Sequence, residues 1–182
     1  MTDPVSLIGA NVLEQMLAYA SETPAGPFVE VGVFQGGSAW HLSRLAGRQN
    51  RHLWLYDTFT GMPYADPALG DIHPVGDFGD TSFDKITELF LPLPYVHVTR
   101  GVFPDICSGD LRFPTEPVAF AHLDVDQYRS YRDACQFLDS RMAKGGVMWF
   151  DDLCITGADR AVREMYGDRV HPVSCGKHIV CY

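Results

Sequence analysis

Five short apolar runs, FVEVGV, HLWLY, YVHV, VAFAHLDV and GGVMWF, constrain the fold of this chain more than any other feature. Helical patterns separate them at about Ser38 to Leu45 and about Arg129 to Met142, and a long loop follows HLWLY. Strands alternating with helices predict an α/β architecture, a mostly parallel sheet covered on both faces. The last stretch departs from this pattern. After a helix near Asp159 to Met165 come RVHPVSC and KHIVCY, separated only by Gly176, which predicts a terminal antiparallel hairpin closing the sheet edge. Ahead of the first run, Val5, Leu7, Ile8, Val12, Leu13, Met16 and Leu17 recur at helical spacing after Pro4, and SETPAGP stops them. This predicts one N-terminal amphipathic helix within residues 1–22.

With 182 residues, 46% of them hydrophobic and 20% charged, the chain fits one domain, 1–182, with a full core. A net charge of -9, with 14 Lys and Arg scattered rather than clustered, argues against a nucleic-acid or anionic-membrane partner. A neutral or cationic small molecule is easier to accommodate. Asp3 stands where a secretory signal would carry a base, and no long apolar run occurs, so a soluble, cytoplasmic protein is expected. Cys107, Cys135, Cys154, Cys175 and Cys181 show neither zinc-site nor disulfide spacing and read as reduced thiols.

Four aspartates end two of the apolar runs: Asp124 and Asp126 in AHLDVDQY, Asp151 and Asp152 in MWFDDL. Ligands of open α/β sheets bind at strand ends, and carboxylates gathered there repel one another unless a cation or proton lies among them. Oxygen donors imply a hard cation such as magnesium, with three carboxylates and a substrate oxygen as its shell. The competing reading is that Asp126 and Asp152 cap the helices that follow them.

In FVEVGVFQGGSAWHL, a strand runs into Gly32, Gly36 and Gly37, with a helix opening at Ser38, so backbone can approach a ligand at a helix N-terminus. The spacing is not the dinucleotide fingerprint GxGxxG, and Glu30 is an acid where a phosphate cradle prefers none. A plain tight turn explains the glycines equally well. Asp57, after HLWLY, stands where open sheets place a ribose-binding acid, although Asp also begins turns of this kind. The loop at 58–82 carries Gly61, Pro63, Pro67, Gly70, Pro74, Gly76 and Gly79, and loops this long are functional or disordered. Tyr64, Phe78, Phe83, Tyr128 and Tyr131 are candidates for an acceptor pocket, with core or loop packing as the alternative. Of the seven histidines only His122 is expected near the acids, and it reads as core.

Taken together, EVGVFQGGS, LYDTFTGMP, GDFGDTSFD and HLDVDQYRSYRDACQFLDSRMAKGGVMWFDDL resemble the metal-dependent O-methyltransferases of antibiotic biosynthesis, the macrocin, mycinamicin and novobiocin sugar methyltransferases. The resemblance spans about Phe28 to Tyr166. It implies a class I methyltransferase, a Rossmann-like three-layer sandwich that binds S-adenosylmethionine. Glu30 and Gly32 would lie near its methionine end, with Phe34, Gly36, Gly37, Ser38 and Asp124 around it. Asp57 would meet the ribose, and Thr58 would also contact the cofactor. Asp124, Asp151 and Asp152 would hold Mg2+, Asp126 would be the general base, and the 58–82 loop would cover the site. The expected partner is a small-molecule hydroxyl acceptor, a sugar or phenol of a natural product; a homo-oligomer is compatible with this. Alternatives on a similar sheet are a catechol-type O-methyltransferase, a nicotinamide-dependent oxidoreductase and a non-catalytic cofactor-binding protein. Only 27 residues precede Phe28, fewer than family members generally carry.

Overall fold

In a computed structural model, described here for residues 4, 6–107, 113–174 and 176–182, seven strands form one sheet in the order β3-β2-β1-β4-β5-β7-β6. β1 (Phe28–Val31), β2 (Leu53–Asp57), β3 (Val96–Arg100), β4 (Val118–Leu123) and β5 (Met142–Phe150) are parallel. β6 (His171–Ser174) and β7 (Lys177–Cys181) form the expected hairpin, and β7 pairs antiparallel with β5. The strand order reverses between β1 and β4, and ligands of such sheets bind beyond the carboxyl ends at that switch.

Two apolar cores flank the sheet, which makes the three layers. On one face α1 (Ala10–Glu22), α2 (Gly37–Arg48) and α3 (Phe83–Phe90) bury Leu13, Met16, Leu42, Leu45, Ile86 and Phe90 against Phe28, Leu53, Leu55, Phe120 and Trp149. On the other, α4 (Tyr128–Asp139) and α5 (Thr156–Tyr166) bury Tyr131, Cys135, Leu138, Ala161, Val162 and Tyr166 against Val29, Val31, Leu123, Met148 and Phe150. Alternation along β5, with Met148 and Phe150 to one core and Val147 and Trp149 to the other, is the two-residue period of a strand buried on both sides.

The N-terminal helix begins later than the apolar spacing predicts. Ser6 Oγ accepts from the Ile8 backbone N–H, Gly9 carries an extended backbone at the N-cap, and the helix starts at Ala10. Leu7 is exposed, and the pattern through Leu7 and Ile8 continues the helical period without being helix. Val5 lies outside the described residues. The periodicity reading assigns nothing between the long loop and YVHV, where the structure has α3. Phe83, Ile86 and Phe90 lie on one face of that helix, and Ser82 Oγ accepts from Lys85 N. Cys107, Cys135, Cys154 and Cys181 are free thiols; Cys175 lies outside the described residues. Among the described residues no helix is long and apolar enough to cross a membrane.

Candidate active site

The carboxyl ends of β1 and β4 meet so closely that only glycine fits at position 32. Its φ is +91°, and a Cβ there would lie 1.8 Å from the carbonyl oxygen of Asp124. The loop after β1 is then shaped by the end of β2. Asp57 Oδ2 accepts from the backbone N–H groups of Val33 (2.8 Å) and Phe34 (2.9 Å), and Oδ1 accepts from Phe59 N at 2.6 Å. Asp57, expected as a ribose partner, is therefore a loop organiser. Ordering this loop leaves a cavity of about 310 Å³ that crosses the sheet's carboxyl edge. That volume lies at the lower end of the roughly 300–1,000 Å³ typical of small-molecule sites.

One end of the cavity is lined by Gly32, Phe34, Tyr56, Asp57, Val102 and Phe103, and the other by Asp124, Asp126, Asp151, Asp152 and Lys177. Thr58 also lines it, whereas Glu30, Gly36, Gly37 and Ser38 do not. Glu30 is fully buried beneath the strand ends. Its Oε1 accepts from the Ser38 hydroxyl and lies 2.9 Å from His122 Nδ1, and its Oε2 has no hydrogen-bond partner. Gly36, in the left-handed conformation, is the N-cap of α2, so the glycine turn and Ser38 shape the site from behind its wall. Leu7, Ile8 and Gly9 line the cavity from the N-terminal side.

The acids themselves are brought together as expected, at the ends of adjacent central strands β4 and β5. Asp124, Asp126 and Asp152 each present a carboxylate oxygen within 4.8 Å of one another. Burial and the neighbouring Asp152 and Asp151 charges hold the Asp124 carboxyl well above the usual carboxylate range. The same causes, burial first and then Asp152, push Asp126 up to about 7. Asp152 is raised by burial and by Asp151. All three share one cause, buried carboxylates crowding one another, which a cation or a proton among them relieves.

Asp151 faces a different environment. Lys177 donates to its backbone carbonyl at 2.6 Å and to Oδ2, while Oδ1 lies 3.9 Å from His122 Nε2 with no hydrogen-bond partner. Burial alone would raise this carboxyl, but the adjacent His122 and Lys177 lower it. His122 in turn is raised to about 10, because the Asp151 and Glu30 carboxylates overcome the effect of burial. It is a core residue, as expected, and also a charged link between Glu30 and Asp151.

Helix capping does not explain the aspartates. Asp152 Oδ2 accepts instead from the Tyr131 hydroxyl (2.8 Å) and from the backbone of Asp126 (3.2 Å), and the first N–H of α4 is met by Asp71 of the long loop. That loop is docked over the site rather than open. Asp71 Oδ1 accepts from Tyr128 N at 2.7 Å, Gly70 O accepts from Gly157 N at 3.2 Å, and the Gln127 carboxamide holds both Tyr64 N and Tyr64 O. Three non-glycine residues of the cavity wall, Phe34 (φ 48°), Phe78 (φ 58°) and Asp126 (φ 54°), adopt left-handed backbones. Each costs roughly 1–2 kcal/mol, strain that concentrates where function is built.

Of the candidate aromatics only Phe78 lines the cavity. Tyr131 is buried against Asp152, Phe83 packs on Phe59, Tyr64 lies under Arg129, and the Tyr128 hydroxyl donates to Glu164. The local sequence pattern offers no sign of Lys177, and the expectation that only His122 lies near the acids is corrected by His73, whose Nε2 lies 3.8 Å from Asp126 Oδ1. The hairpin register could have found Lys177: Phe150 pairs with His178, so Lys177 sits beside Asp151. His73 is delivered by the long loop and had no local signal.

A sequence model of the family "Macrocin-O-methyltransferase (TylF)" matches residues 5–171. The 8-demethyl-8-(2,3-dimethoxy-alpha-L-rhamnosyl)-tetracenomycin-C 4'-O-methyltransferase of Streptomyces olivaceus is 30% identical over 180 residues, covering 89% of this chain and 67% of that protein. Among solved structures, the O-methyltransferase NovP superposes with a TM-score of 0.81 at 21% identity over 97% of this chain and 81% of NovP. The calicheamicin methyltransferase CalS11 gives 0.77 at 18% identity over 94% of this chain and 77% of CalS11. The methyltransferase fold expected from the sequence is thus the fold observed, and the chain belongs to the macrocin O-methyltransferase family of O-methyltransferases.

Proposed function

We propose that the protein transfers a methyl group from S-adenosylmethionine to a hydroxyl of a sugar carried by a natural product, assisted by a divalent cation. The observation that carries this reading is that one cavity joins the Gly32–Asp57 wall to the aspartate cluster. A donor seated across the strand ends and an acceptor over the acids would share a single continuous space. The rhamnosyl group in the name of the Streptomyces olivaceus relative supports a sugar hydroxyl. A structure of a methyltransferase from Streptococcus mutans in complex with SAH, of the same fold (TM-score 0.58, 14% identity), is consistent with the donor.

The residues present fit a hard cation. Asp124 and Asp152 belong to a carboxylate cluster lacking its counter-charge, and Asp151 Oδ1 is a buried oxygen without a hydrogen-bond partner. Asp124, Asp151 and Asp152 are the proposed ligands, and magnesium suits an all-oxygen set that leaves positions for substrate. When bound, the ion would supply positive charge that orients the acceptor hydroxyl and makes it more acidic.

The chain's own residues do the rest. The Asp57-braced loop and Gly32 let backbone approach the donor, and Leu7, Ile8 and the docked loop line the space around it. As the acceptor oxygen forms its bond to the methyl carbon and the carbon–sulfur bond breaks, the hydroxyl proton passes to an Asp126 carboxylate oxygen. Asp126 belongs to the same carboxylate cluster and to the cavity wall, which supports it as the acceptor of that proton. The test is incubation of the purified protein with methyl-labelled S-adenosylmethionine, magnesium and a panel of rhamnosides and catechols. Label in the glycosides is expected; label confined to catechols would overturn the sugar assignment.

A further inference from the structure

The docked loop brings a second polar group to Asp126. His73 Nδ1 lies 2.7 Å from Asp77 Oδ2, and Nε2 lies 3.8 Å from Asp126 Oδ1. Building on the reading of Asp126 as the base, we propose that His73 is a positioning residue for methyl transfer: Asp77 fixes its ring, and the ring fixes the Asp126 carboxylate toward the acceptor.

The surroundings leave Asp126 dependent on this contact. Among the described residues, His73 supplies the only Lys, Arg or His nitrogen within 4.0 Å of its carboxylate, and no side chain hydrogen-bonds to it. The ring is itself held on two sides. Asp77 lies one turn of chain away, and Phe78 packs on the ring at 5.0 Å and on Phe34 at 5.8 Å. The segment carrying them is closed by Met62 N to Asp77 O (2.8 Å) and Gly76 N to Met62 O (2.9 Å). Its other end is bound, through Asp71, to the residue that begins α4, two positions after Asp126. Loop and base are thus one mechanical unit. A separation of 3.8 Å is too long for a hydrogen bond, but such contacts commonly tighten in the substrate complex.

Two measurements test this. In protein labelled with 15N-histidine, the His73 ring resonances, assigned by their loss in His73→Gln, should move in Asp126→Asn and stay in place in the exposed-site control Asp168→Asn. An unmoved resonance in Asp126→Asn overturns the contact. In the methyl-transfer assay, His73→Leu should lower kcat about 10- to 100-fold with the donor KM within about twofold of wild type. His73→Gln, which keeps a side-chain N–H at similar reach, should recover most of that loss. Wild-type kcat in His73→Leu, or a loss matched by weaker S-adenosylhomocysteine binding and not recovered by Gln, overturns the proposal. A wild type that transfers no methyl group sinks the proposed function instead, and the nitrogen spectrum then still decides the contact.

Discussion

Lys177 neutralises Asp151 from the neighbouring strand β7: its ammonium donates to the Asp151 backbone carbonyl at 2.6 Å and to the carboxylate, and it is held in its charged form by that carboxylate against the effect of burial. Removing one member of such a pair leaves the other buried and uncompensated. Lys177→Met should therefore destabilise the protein by about 1–3 kcal/mol in urea denaturation without metal. Added magnesium should restore part of that stability by supplying another positive charge. A variant as stable as wild type in EDTA would show that the pair carries no weight.

Gly32 faces the most severe local constraint. Alanine there must hold φ near +91° with its Cβ 1.8 Å from the Asp124 carbonyl oxygen, so the ends of β1 and β4 must separate. Gly32→Ala should cost about 2–4 kcal/mol and weaken S-adenosylhomocysteine binding in calorimetry, since both walls of the cavity shift. Retention of wild-type affinity would show that the cavity tolerates the separation.

The fully buried Glu30–His122 pair sits beneath the cavity floor. His122→Leu strands the Glu30 charge and should cost about 3–5 kcal/mol, whereas the double change Glu30→Gln, His122→Leu should cost less than the single one. Chemical denaturation of the three proteins measures this. Equal losses in the single and double variants would mean that the pair is not coupled.

For Asp126, removal of the base is expected to separate chemistry from binding. Asp126→Asn should lower kcat by about 10²- to 10⁴-fold while S-adenosylhomocysteine affinity stays near wild type. Parallel losses of kcat and affinity would assign Asp126 a structural role.

The layers of this fold and the convergence of the aspartates could be read from the sequence because both follow from local pattern. Apolar runs of strand length alternate with helical ones, and Asp124, Asp126, Asp151 and Asp152 terminate two of those runs, which pair as β4 and β5. The start of α1 is not legible in the apolar spacing because Leu7 and Ile8 extend the helical period while lining the cavity outside the helix. α3 went unread because its Phe83, Ile86 and Phe90 face is only eight residues long and follows a loop rich in Gly and Pro. His73 and Lys177 reach the acids through tertiary contacts 53 and 26 residues away in sequence, to Asp126 and Asp151 respectively, and no local period encodes these. Glu30 shows the converse: its place at a strand end suggested a ligand contact, and burial turned it toward His122.

The central claim is that the aspartate cluster works with a divalent cation, and metal depletion tests it most directly. Methyl transfer by protein treated with EDTA should fall to background and return when magnesium is added in excess. Turnover that persists at the wild-type rate in EDTA, after dialysis against the chelator, would contradict the account.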